Sequence, residues 1–219
     1  MSVGPALSAA ETGLVAVATL LADASVVDGR LHADSDADPL TPARLEAVAD
    51  DATAADAQAS VETRDGVVRP GDPLVVAFAP RVDGTAVPLS RTFVVDGSGG
   101  WERRAAVAVE MAHDAVRRVA APGVSPRRVV DEAVAELGAY GLTTGEGNVI
   151  RGVGSGLVAS AEGDASLTAG QRFVLDPAAR DPDPDTDRGR IRIGGWYAVT
   201  DDGCRALSQL PTSLSPDAY

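Results

Sequence analysis

The sequence predicts an α+β fold built from two successive helix-helix-strand-strand units, and three observations carry that prediction. Apolar residues recur at helical spacing in two separate stretches, one near the start and one after Trp101. Each stretch is followed by a hydroxyl residue and a proline, Thr41-Pro42 and Ser125-Pro126, the signature of a second helix start. Each helix pair is then followed by short β-rich runs bounded by turn residues.

In chain order, Leu14, Val17 and Leu21, interleaved with Leu20, Ala24 and Val27, predict a first helix over about residues 7–27. A polar, Asp-rich link runs from Asp28 to Asp38, after which Thr41 caps a helix through Leu45 and Val48. Arg64-Asp65-Gly66 and Arg69-Pro70-Gly71-Asp72 are turn chemistry. They lead into a strand from Val75, a tight Asp83-Gly84 turn and a second strand ending at Val95. Trp101 to Ala121 is strongly helical and stops at Pro122-Gly123. The helix capped at Ser125 carries Val129, Val130, Ala133 and Leu137 on its inner face. Three strand-like pieces close the second unit: Asn148 to Val153, Gln171 to Asp176 and Arg190 to Thr200. Between the last two, "ARDPDPDTDRGR" reads as an acidic, proline-broken loop without chemistry of its own. Residues 1–40, helix and link, are expected to form part of one domain with residues 41–207, leaving 208–219 as a tail.

Composition limits the function classes. Of 32 acids 23 are Asp, all 19 basic residues are Arg, Lys is absent, and the formal net charge is −13. An Asp-rich, Lys-free, Ala/Val-rich chain resembles proteins of salt-accumulating halophilic archaea, in which net negative charge maintains solubility. Such a balance argues against a nucleic-acid partner, because phosphate binding needs a net basic face. The single Cys204 excludes an intrachain disulfide framework and a cysteine-based metal cage, which fits a cytoplasmic location. The apolar run Leu14 to Val27 is interrupted by Asp23 and reads as too short to span about 30 Å of hydrocarbon, so no membrane partner is expected. Glu11 lies just ahead of that run and no basic leader precedes it, so no secretory signal is expected.

The order "RPGDPLVV…VDG…SRTFVV", "PGVSPRRVVDEA", "RFVLDP", "RIRIGGWYAVTDDGC" resembles the pita-bread metallopeptidase family of Xaa-Pro aminopeptidases and dipeptidases, methionine aminopeptidases and creatinase. The resemblance runs from about Thr41 to Leu207. It implies two pseudo-symmetric helix-helix-strand-strand halves around a curved, mostly antiparallel sheet. It also implies two divalent metal ions, such as manganese, cobalt or zinc, held by five side chains.

Carried over position by position, the resemblance puts the first family Asp at Ala77, ahead of Phe78, and the second at Pro88, three residues before Arg91. The ligand His belongs to a glycine-flanked segment similar to "RGVGSG" and falls on Ser155; a frequent partner His is Arg151, and the next falls on Glu162. The Glu of the "EPG" strand matches Asp176, and the last Glu matches Gly194. Only Asp176 keeps a metal-capable group. Two adjacent cations need several ligands converging at about 2.0–2.2 Å with bridging carboxylates, so the pattern implies loss of the binuclear centre and no bound cofactor.

Creatinase, which the chain also resembles, works without metal through a pocket histidine. Here the two histidines are His32, in the polar link, and His113, mid-helix, where a surface or partly packed side chain is expected. Ser155 has no histidine assigned near it to take its proton. The expected function is therefore that of a catalytically inactive homologue, which binds a peptide or protein segment or pairs as a homodimer or with an active relative. The alternative is a hydrolase of the Xaa-Pro type with an altered metal site. Arg151, Glu162 and Trp196 are the candidate cleft residues, with packing an equal role for Trp196.

Overall fold

The computed structural model describes residues 3–33, 38–53, 55–144, 149–152, 166–183 and 185–219, with the backbone alone at 150–152. They divide into two compact units: 1–100 with 187–189 and 210–219, and 101–186 with 190–209.

In the first unit α1 (Gly4–Ala22) buries Leu7, Leu14, Val17 and Leu21 along one face. That face packs on strands of the same unit. Gly13 makes the approach possible, since a Cβ there would lie 2.8 Å from Cδ1 of Phe78. The helix ends five residues before the predicted Val27. Asp28 and Gly29, both with positive φ, instead turn the chain into a hairpin of β1 (Ser25–Val27) and β2 (Arg30–His32). The expected polar link is thus partly structured, and its His32 is buried. By length and composition α1 is also apolar enough to cross a membrane, contrary to the reading of a run broken at Asp23; a helix buried in a protein core passes the same test.

Thr41 caps α2 (Pro42–Asp51) as predicted, its hydroxyl accepting from the Arg44 N–H at 3.2 Å. Two carboxylates of α2 reach the next strand, β3 (Ala59–Glu62): Asp50 accepts from the Ala59 N–H and Glu46 from the Val61 N–H, both at 2.9 Å. β3 pairs with β4 (Leu74–Phe78). The predicted long hairpin is two nested ones. A small tip of β5 (Arg81–Val82) and β6 (Thr85–Ala86) turns at Asp83-Gly84, and β7 (Leu89–Phe93) returns along β4. The described sheet order is β3-β4-β7, all antiparallel.

The second unit opens with α3 (Trp101–Val119), whose Ala105, Ala108, Val109, Ala112, His113 and Val116 form a buried stripe. Ser125 caps α4 (Pro126–Ala139), accepting from the Arg128 N–H at 3.3 Å, and Val129, Ala133 and Leu137 face inward. Strands β8 (Ile150–Gly152), β9 (Arg172–Leu175), β12 (Gly195–Val199) and β13 (Cys204–Ala206) form an antiparallel sheet in the order β13-β12-β9-β8. A two-stranded ribbon of β10 (Ala178–Ala179) and β11 (Ile191–Arg192) stands beside it in sequence.

Candidate metal-site positions in the two units

Ala77 is half-buried on β4, directly opposite Ser90 of β7 and Ser60 of β3. Its chain neighbours Val76 and Phe78 are buried. Pro88 sits one residue before β7, where the chain leaves the β5–β6 tip. Lacking an N–H, a proline suits this bend at the start of a strand that ends the sheet order. Ala77 thus lies on β4 and Pro88 just ahead of its neighbour β7, and neither side chain offers a metal donor.

In the second unit Asp176 follows β9, its N–H bonded to the Val149 carbonyl at 2.8 Å. It is only 8% exposed. Its two oxygens are taken by one guanidinium: Arg192 Nε donates to Oδ1 at 3.0 Å and Nη2 to Oδ2 at 2.5 Å. This fork-to-fork geometry is the strongest that an arginine and a carboxylate make, and it sets the Arg192 cation against the buried carboxylate. Gly194, two residues beyond Arg192, is buried backbone between β11 and β12.

Next to it lies a polar cluster that sequence reasoning missed. His113 is buried at 6% exposure, more fully than the surface or partly packed side chain expected. Its Nε2 lies 2.8 Å from the Ile193 carbonyl and its Nδ1 2.8 Å from the Tyr197 hydroxyl. A carbonyl only accepts, so Nε2 carries the proton and Nδ1 accepts from Tyr197, a tautomer assigned by its partners. The Tyr197 ring stacks on His113 and on Phe173. Gly195 keeps this packing open, because a Cβ there would lie 3.1 Å from the Tyr197 ring and 3.2 Å from His113 Cε1. The signal was present: His113 falls four residues after Val109 and three before Val116, on the apolar stripe.

Trp196 and Arg151 occupy equivalent register on either side of Val174. Trp196 is fully buried in the unit's core. Ser155 and Glu162 lie outside the described residues.

The sequence profile of metallopeptidase family M24 matches residues 47–201. This chain belongs to family M24. Solved structures agree on the fold. The X-Pro aminopeptidase from Thermotoga maritima MSB8 superimposes with a TM-score of 0.72 at 15% identity, over 96% of this chain and 61% of that one. The prolidase from Pyrococcus horikoshii OT3 gives 0.73 at 17%, over 97% and 62%. Dipeptidase PepE from Mycobacterium ulcerans gives 0.70 at 21%, over 96% and 58%. The chain thus spans about three fifths of the length of these structures. Compared by sequence with curated proteins, it finds no match.

The metal pair that family M24 implies does not fit the described residues of this member. Ala77, Pro88 and Gly194 carry no donor side chain, and the Asp176 carboxylate is held by Arg192. Among the described residues, no three or more His, Cys, Asp or Glu side chains are grouped so as to hold a metal ion.

Proposed function

We propose that this M24 chain is a catalytically silent homologue of Xaa-Pro-type metallopeptidases, cytoplasmic and adapted to high salt. It acts by holding a peptide or protein segment, or as a partner in a homodimer or with an active relative. The observation that supports this reading is the buried Asp176–Arg192 pair. At the one described position where the family's metal-binding chemistry survives, an internal cation engages both carboxylate oxygens. A metal ion would have to displace a bidentate, desolvated guanidinium and then find no second donor at Gly194. The acidic composition supports the salt adaptation, since 23 of the 32 acids are Asp and Lys is absent.

The test is an assay of Xaa-Pro dipeptide hydrolysis in high salt with manganese, cobalt or zinc, run beside the Asp176→Ala variant. Equal, background rates for both are expected. Saturable turnover that Asp176→Ala abolishes would overturn the reading. Sedimentation in high salt, alone and with an active M24 enzyme, separates self-pairing from hetero-pairing.

A further inference from the structure

The strand β7 ends the first unit's sheet, yet all five of its residues are buried. An edge strand ordinarily leaves one row of backbone groups open to water or to another strand. Here the segment Leu210–Tyr219, read from sequence as a tail, is part of the same compact unit and bonds to this edge. The Val94 N–H donates to the Leu214 carbonyl at 2.9 Å, just past the end of β7. Arg91, 2% exposed, turns its guanidinium to the same segment: Nε donates to the Pro211 carbonyl at 2.8 Å and Nη2 to that of Leu210 at 3.3 Å. A buried cation needs such acceptors.

At the far end of the segment the Tyr219 ring stands edge-on to Phe93, centroids 5.1 Å apart and planes at 74°. Its hydroxyl donates to the carbonyls of Pro211 and Ser213, folding the segment back on itself. Pro216 is buried, and the 3-10 turn Pro216–Ala218 packs on α1. Two of the contact partners, Arg91 and Phe93, lie on the strand that also follows Pro88.

We propose that the β7 edge is a peptide-binding seat whose resident ligand is the chain's own Leu210–Tyr219 segment. The ligand chemistry it selects is a folded-back peptide with one backbone carbonyl for Val94, two for the Arg91 guanidinium, and an aromatic ring for Phe93. The carbonyls supply the attachment and the ring the selectivity. This seat is separate from the metal-site positions, so it stands whether or not the chain is catalytically silent.

The experiment is amide hydrogen exchange on the full chain in high salt, comparing wild type, Tyr219→Phe and Tyr219→Ala. Val94 should exchange on the order of tenfold faster in Tyr219→Ala, with Tyr219→Phe between the two and the β3–β4 amides unchanged. The synthetic peptide LPTSLSPDAY should bind a chain shortened to residues 1–209 saturably and slow Val94 exchange again, and it should not bind the full chain. Wild-type protection of Val94 in Tyr219→Ala, or no peptide binding by a folded 1–209 chain, would overturn the proposal. Should the shortened chain not fold, the Val94 rates of the two full-length variants decide.

Discussion

The two units differ at the positions that the family resemblance assigns to metal ligands. In the first, the carboxylates the family would supply are absent: β4 presents the methyl group of Ala77, and Pro88 bends the chain into β7. In the second, a carboxylate remains at Asp176 but is matched by Arg192 inside the protein. Deleting a charge from a strand and neutralising one beside a strand both answer the same physical constraint. A buried carboxylate without a cation is costly, whether the cation lost was a metal or a side chain. The difference predicts that the two units respond in opposite ways to mutation. The second should be damaged by removing a charge, and the first by restoring one.

The largest effect is expected at Arg192. Arg192→Met removes the bidentate guanidinium from the buried Asp176 carboxylate, and a loss of about 3–5 kcal/mol is predicted in denaturant unfolding at high salt. The double variant Arg192→Met/Asp176→Leu should recover much of that loss. A change under about 0.5 kcal/mol in the single variant would break the comparison. Next comes Ala77→Asp, which places a carboxylate on the half-buried face of β4 opposite Ser60 and Ser90; it should cost about 1–3 kcal/mol, and manganese should not restore the difference.

Gly195→Ala should cost about 1–2 kcal/mol, because the new methyl group crowds the His113 and Tyr197 rings. Its second readout is a shift of the His113 ring resonances. The smallest effect concerns pH. Burial pushes the Tyr219 hydroxyl up to about 12, above its ordinary value near 10. A group whose folded value is raised stabilises the fold below the unfolded value and loses that contribution as pH rises through the folded one. Between about pH 10 and 12 the wild type should therefore lose more stability than Tyr219→Phe, read as a steeper fall in unfolding midpoint.

What was legible in the sequence was local. The Thr41-Pro42 and Ser125-Pro126 starts fixed two helices correctly, because a cap oxygen and its N–H donor lie three residues apart. The Asp83-Gly84 turn was read, while the same dipeptide at Asp28-Gly29 was absorbed into a link. The apolar residues just before it, Val26 and Val27, had been assigned to a longer first helix. The assignment of Ala77, Pro88 and Gly194 to ligand positions rests on family spacing alone.

What was hidden depends on long-range topology. Asp176 meets Arg192 sixteen positions later only after the chain has turned from β9 through β10 to β11. Arg91 meets Leu210 and Pro211 about 120 positions away, and no local pattern marks that partnership. His113 is the intermediate case. Its stripe was readable, but its partners Ile193 and Tyr197 come from the other end of the unit.

The most direct test of the central claim, that this M24 member has exchanged its metal centre for an internal ion pair, is metal binding by the intact protein in high salt. Elemental analysis followed by calorimetric titration with manganese, cobalt and zinc should find no stoichiometric metal and no saturable heat. Two tightly bound ions per chain would contradict the account.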